Sequence, residues 1–140
     1  MNMEFKDKLE KQIKERDITP RSVFQTLKNS LNGIKSYAKE GKSFVIYLIG
    51  VVLEVCMGFA YNINGLEWIL IICILGIILS VELLNTAIES TCDAITKEYN
   101  NFIKVAKDCG SAATLVIFFV AILLNIIIFY PKIIALFQMW

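Results

Sequence analysis

Three carboxylates and one amide recur on one side of a single helical stretch. In the segment V-E-L-L-N-T-A-I-E-S-T-C-D these are Glu82, Asn85, Glu89 and Asp93. On a helix turning ~100° per residue they project at about 0°, −60°, −20° and +20°, so all four share one stripe. Acids stacked in this way repel one another, and the arrangement is tolerated where a cation lies among them or a proton is held. Glu82 comes first and therefore lies deepest, near the boundary between hydrocarbon and headgroups, where an ionisable group is by default the mark of a functional site. A helix simply emerging into water accounts for Glu89 and Asp93. It does not account for Glu82 and Asn85, which apolar residues surround.

Downstream, Lys107-Asp108 precedes the small-residue run Cys109-Gly110-Ser111-Ala112-Ala113, where a helix or a ligand can approach closely. A carboxylate at a membrane surface, further acids for a divalent cation and a nearby lysine suggest phosphoryl transfer to a lipid hydroxyl. The deep carboxylate would accept the hydroxyl proton, the outer acids would hold Mg2+ bridging nucleotide phosphates, and the lysine would neutralise charge developing on the γ-phosphate. Other chemistries are excluded by what is missing. The chain has no histidine, which removes His bases, Ser-His-Asp triads and His-ligated metals. Cys56, Cys73, Cys92 and Cys109 show no metal-ligand spacing and are read as structural. No Walker A or Gly-rich kinase loop occurs, so a soluble kinase fold is excluded.

The elements that must position these groups follow from three apolar runs, 44–61, 66–84 and 112–130, each about 18 or 19 residues long. At ~1.5 Å per residue each matches the ~30 Å hydrocarbon thickness, and in lipid each must be helical. The mean hydropathy of +0.61 agrees. The predicted fold is an all-α membrane protein with three transmembrane helices, in one domain spanning 1–140. The net charge of +1 gives no sign of a nucleic-acid partner. Ten of the fourteen Lys and Arg residues precede residue 43, and three lie between Lys97 and Lys107. The positive-inside rule thus puts the N-terminus and the 85–111 connection in the cytoplasm, with the Asn62 loop and the C-terminus outside. Tyr61, Trp68, Tyr130 and Trp140 fall where an outer aromatic belt belongs. No signal peptide is read, since the first apolar run starts near Phe44.

Ahead of the spans, Thr19-Pro20 reads as a helix start. Val23, Phe24, Leu27, Leu31, Ile34 and Ala38 then recur at helical spacing beside Arg21, Lys28, Lys35 and Lys39. This predicts an amphipathic helix over 20–40, suited both to the inner leaflet and to packing on the bundle. Residues 1–18 read as a polar extension.

The stretch E-L-L-N-T-A-I-E-x-x-x-D at 82–93, E-Y at 98–99 and A-K-D-x-G-S-A-A at 106–113 resembles the signature of prokaryotic diacylglycerol kinases and their undecaprenol kinase relatives. The resemblance is specific over roughly 66–116, loose over 20–65 and absent over 1–18. It implies a small multi-pass kinase of the bacterial inner (cytoplasmic) membrane, with three spans and an amphipathic surface helix, assembled as a homotrimer with shared active sites and using ATP with Mg2+. It further implies Glu82 as catalytic base with Asn85 beside it, Glu89 as a metal ligand, Lys107 and Asp108 on the nucleotide, and Glu98 and Tyr99 near the adenosine end. Ser30, Gly33, Ile34 and Lys35 match the family's S-x-x-G-[LI]-[KR], which places Ser30 and Lys35 with the ATP-binding residues.

The family carries a second metal-binding Glu just before the first span, followed by a segment ending in Phe-Arg. Here Glu40 is the candidate, one residue closer to Gly33 and one further from Phe44 than the pattern, and the Arg position is Val45. Glu54, near the middle of the first span, admits two readings: a bundle-facing, protonated Glu hydrogen-bonded to a neighbour, or a group that handles substrate or protons. The expected activity is phosphorylation of diacylglycerol to phosphatidic acid, because G-S-A-A after Lys107-Asp108 looks closer to the diacylglycerol branch. Undecaprenol is the alternative acceptor, in keeping with an Ile-, Lys- and Asn-rich composition. A proton-coupled exporter, a holin, and a kinase fold without activity are the competing classes.

Overall fold

The computed structural model describes residues 22–39 and 41–138. All regular structure among the described residues is helical, in four elements: α1 Val23–Lys39, α2 Lys42–Ala60, α3 Gly65–Ile95 and α4 Asn101–Gln138. The chain divides into two units, 1–32 and 33–140. The helix start expected at Thr19-Pro20, the extension 1–18, Arg21, Glu40 and Trp140 lie outside the described residues.

Local chemistry fixes where α1 starts. Ser22 Oγ accepts from the Gln25 amide at 3.2 Å, an N-cap bond that satisfies an otherwise orphaned donor. Along the helix Val23, Phe24, Leu27, Leu31 and Ile34 are all exposed. Between α1 and α2 the chain turns through Gly41 at φ +83°, a left-handed backbone that residues with a Cβ rarely adopt. The Tyr37 and Phe44 rings meet edge to face across this turn, 5.7 Å apart.

The α2–α3 loop is as tight as its four residues suggest. Asn62 takes a positive φ of 45°, which asparagine tolerates. Asn64 and Glu67 form a reciprocal capping box with bonds of 2.7 and 3.0 Å. Gly58 lies directly under the Trp68 indole, where a Cβ would collide with ring carbons.

The helices α3 and α4 form the main pairing and run antiparallel. Ile63, Ile71, Ile128 and Phe129 make one buried cluster at the loop end, flanked by Met57, Tyr61, Trp68, Leu75, Leu124 and Ile133. Tyr61 packs edge-on to Phe129 at 5.8 Å. At the same end the Lys132 ammonium sits 3.0 Å from Glu67. Pro131 lies within α4 and removes the amide that would have bonded back to Ile127.

Only eight hydrophobic side chains are buried among the described residues, while Ile46, Val52, Ile72, Leu123 and Ile127 face outward. So much outward apolar surface suits lipid rather than water. Among the described residues three helices are long and apolar enough to cross a membrane, α2, α3 and α4, and the chain is a membrane protein. Both α3 (31 residues) and α4 (38 residues) outrun the ~20 residues a span requires. Their polar ends consume most of the 85–111 connection, so that only Thr96–Asn100 links them.

Inside the apolar layer Asn125 Nδ2 donates to Glu54 Oε1 at 2.6 Å, joining α2 to α4. This geometry agrees with the bundle-facing, hydrogen-bonded part of the first of the two readings of Glu54. Nearer the other end, the Tyr47 hydroxyl donates to the Leu75 carbonyl at 3.4 Å.

Candidate active site

The buried stripe of α3 changes character along its length. Ile71, Ile74 and Ile78 are buried on the face towards α4, and the next member of the series is Glu82, 9% exposed. Asn85 and Glu89 continue the same stripe. The repeat that builds the core at one end therefore carries acids and an amide into the polar end.

Asn85 Nδ2 donates to Glu89 Oε1 at 3.3 Å. Its Oδ1 is buried and has no hydrogen-bond partner among the described residues. Opposite it lies Gly110 of α4, where a Cβ would overlap that oxygen. Glu82 feels the charge of Glu89, and the Tyr37 hydroxyl interacts with its carboxyl. Tyr37 is fully buried. It is the residue the sequence reading missed: its α1 neighbours carry the apolar periodicity, and nothing in spacing singles out an aromatic with a hydroxyl.

One turn beyond Glu89, Lys107 Nζ meets Asp93 Oδ1 at 2.5 Å. Lys107 precedes the apolar run of α4, and its bond to Asp93 holds its pKa above the ordinary lysine value, so it stays cationic throughout the neutral range. Asn100 caps the start of α4, with Oδ1 accepting from Phe102 at 2.9 Å. Between these groups is a cavity of about 240 Å³ whose lining includes Asp93, Glu98, Tyr99, Lys104, Lys107 and Asp108. It is formed wholly from residues 93–108. Four of the predicted nucleotide residues, Glu98, Tyr99, Lys107 and Asp108, thus share one cavity. It is below the ~300–1,000 Å³ of a complete small-ligand site, which suits part of a nucleotide.

The other candidates belong to or follow α1. Ser30 lies on α1, where its hydroxyl donates to the Thr26 carbonyl at 3.0 Å, and Lys35 is exposed on the same helix. Glu40 is outside the described residues. The position the pattern assigns to the second metal-binding Glu is Gly41, whose φ of +83° would strain a glutamate. A Mg2+ ion takes about six oxygens, commonly one or two carboxylates with phosphates and water. Among the described residues no three metal-ligating side chains converge. The donor here is the Glu89 carboxylate, whose Oε1 accepts from Asn85 Nδ2, and a single carboxylate fits an ion held largely by nucleotide and water.

The arrangement therefore offers a sheltered carboxylate, an amide bonded to a second carboxylate, and, one helical turn away, a cavity lined by both lysines and acids. Comparison with known proteins identifies the family. The family described as prokaryotic diacylglycerol kinase matches residues 28–129. The chain is 31% identical over 109 residues to the undecaprenol kinase of Bacillus subtilis (strain 168), covering 78% of this chain and 89% of that protein. It is 35% identical over 75 residues to the diacylglycerol kinase of Escherichia coli (strain K12), covering 54% and 62%. With the diacylglycerol kinase of Pseudomonas aeruginosa it shares 41% over 71 residues, covering 51% and 57%.

Proposed function

Because the chain belongs to the prokaryotic diacylglycerol kinase family, a family of lipid kinases, we propose that it transfers the γ-phosphate of ATP to the hydroxyl of diacylglycerol, giving phosphatidic acid and ADP. The observation that carries the reading is Glu82. A carboxylate at 9% exposure, on the stripe that continues the apolar core, is placed to meet a lipid hydroxyl rather than one dissolved in water.

In the proposed mechanism Glu82 accepts the hydroxyl proton as the lipid oxygen attacks the γ-phosphorus. The bond from γ-phosphorus to the β,γ-bridging oxygen breaks and ADP leaves. Asn85 sits between base and metal ligand, with its amide nitrogen holding Glu89 in place. Glu89, joined by Glu40, would hold Mg2+, which supplies charge neutralisation at the phosphates. Lys107 and Asp108 bind the phosphate side of the nucleotide, Glu98 and Tyr99 its adenosine end, and Ser30 and Lys35 complete the ATP site.

The small size of the cavity within residues 93–108 supports a homotrimer with active sites shared between subunits, since a complete small-ligand site is larger. The exposed apolar face of α1 supports a surface helix on the inner leaflet. The Lys and Arg bias supports a cytoplasmic active site and N-terminus in the bacterial inner membrane, with the C-terminus outside.

One observation favours a second acceptor. Similarity to the Bacillus enzyme extends over 89% of that protein, against 62% for the Escherichia enzyme, and its name points to undecaprenol. Labelled ATP offered with both alcohols in one detergent system tests the choice. Preferential labelling of diacylglycerol is expected; a strong preference for undecaprenol replaces the first acceptor with the second.

A further inference from the structure

Gly110 carries no reactive group, yet it faces the amide on which the proposed site turns. It is buried on α4 opposite Asn85. A methyl group there would overlap Asn85 Oδ1, press to 3.4 Å on Asn85 Cγ and come within 3.7 Å of Ile88 Cδ1. The first contact is impossible without movement, so either the amide turns away or the helices part.

The Asn85 side chain is held in an asymmetric way. On one side Nδ2 donates to Glu89 Oε1 at 3.3 Å. On the other, Oδ1 is buried without a hydrogen bond. Buried polar atoms are nearly always bonded, and exceptions concentrate at functional sites. No donor fixes the direction of this oxygen. Its direction is set by the Glu89 bond and by the wall of α4, and the wall admits it only because residue 110 has no side chain.

We infer that Gly110 is a positioning residue for the phosphoryl transfer: the missing Cβ sets the orientation of the Asn85 amide, and through it the orientation of Glu89. This rests on the roles given to Asn85 and Glu89 above. It differs from ordinary close packing of two helices, which the glycine also permits, in that it ties residue 110 to one side-chain orientation.

The test uses the full chain in detergent. The side-chain amide resonance of Asn85 is identified as the pair lost from the 1H–15N spectrum of Asn85→Ala. In Gly110→Ala that resonance should shift, and kcat should fall ~10- to 100-fold with the KM for ATP held within about twofold, as for a small misplacement at a reacting centre. An unmoved Asn85 resonance, or an unchanged kcat, overturns the proposal and leaves packing alone. Should Gly110→Ala fail to fold, the double variant Gly110→Ala/Asn85→Ser decides. Recovery of folding by removing the clashing amide oxygen supports the pairing, and continued misfolding contradicts it. The resonance is read without turnover. A wild type that labels no lipid alcohol therefore sinks the kinase reading, while the shift still decides the placement of Asn85.

Discussion

Glu54 and Asn125 meet across the apolar layer: Asn125 Nδ2 donates to Glu54 Oε1 at 2.6 Å and also reaches the Ala121 carbonyl at 3.0 Å. The second carboxyl oxygen, Oε2, is buried with no partner among the described residues. This bond ties the first span to the third.

Interhelical hydrogen bonds in membranes contribute ~0.6 kcal/mol on average and up to ~1.7, and orphaning a buried polar group adds about 1–3. Asn125→Leu should therefore destabilise the folded protein by about 1–3 kcal/mol. Glu54→Leu/Asn125→Leu, which removes both partners, should recover most of that loss. Equilibrium unfolding in mixed detergent checks both. A double variant as unstable as the single would show that the pair is not coupled.

How much of this was legible in the sequence follows from what each feature needs. The three spans are self-evident because each is a run of apolar residues, and the acidic stripe follows from helical period alone. The polar turns of α3 and α4 look like a connection, because hydropathy marks the lipid boundary and says nothing of where backbone hydrogen bonding stops. Glu54 stands out as a charge among apolar residues, whereas Asn125, in a run without charges, does not. Pairings such as Tyr37 with Glu82 or Gly110 with Asn85 depend on how helices meet, and a single sequence carries no periodicity for that.

Tyr37 should matter for turnover more than for folding. Tyr37→Phe keeps the ring that packs on Phe44 at 5.7 Å and removes the hydroxyl that interacts with Glu82. A fall in kcat of roughly 10-fold, with a melting temperature close to wild type, is the expected result for loss of a polar interaction with a charged group worth about 1.5 kcal/mol. Unchanged turnover would remove Tyr37 from the site.

The ion pair of Lys107 and Asp93 is partly open to solvent, with side chains 36% and 59% exposed. Pairs of this kind contribute only ~0–1 kcal/mol. Asp93→Asn should leave thermal stability nearly unchanged, while Lys107→Ala should raise the KM for ATP by about 10-fold or more through loss of a phosphate contact. Steady-state kinetics across ATP concentration separate the two. A large stability loss in Asp93→Asn would make the pair structural instead.

At the opposite end, Gly58→Ala should destabilise by about 1–3 kcal/mol, because the added methyl forces Trp68 to move. Kinase activity per folded molecule should be unaltered, since this contact lies at the far end of α3 from Glu82. Thermal unfolding together with specific activity reads both, and a selective loss of activity would argue against that separation.

The central claim is that Glu82 takes the proton from a lipid hydroxyl. ATP-dependent phosphate transfer to diacylglycerol and undecaprenol, measured side by side for wild type and Glu82→Ala, tests it most directly. The account predicts that wild type labels a lipid and that Glu82→Ala, folded as wild type, loses at least ~100-fold in rate, as for removal of a general base. A folded Glu82→Ala protein that phosphorylates lipid at close to the wild-type rate would contradict it.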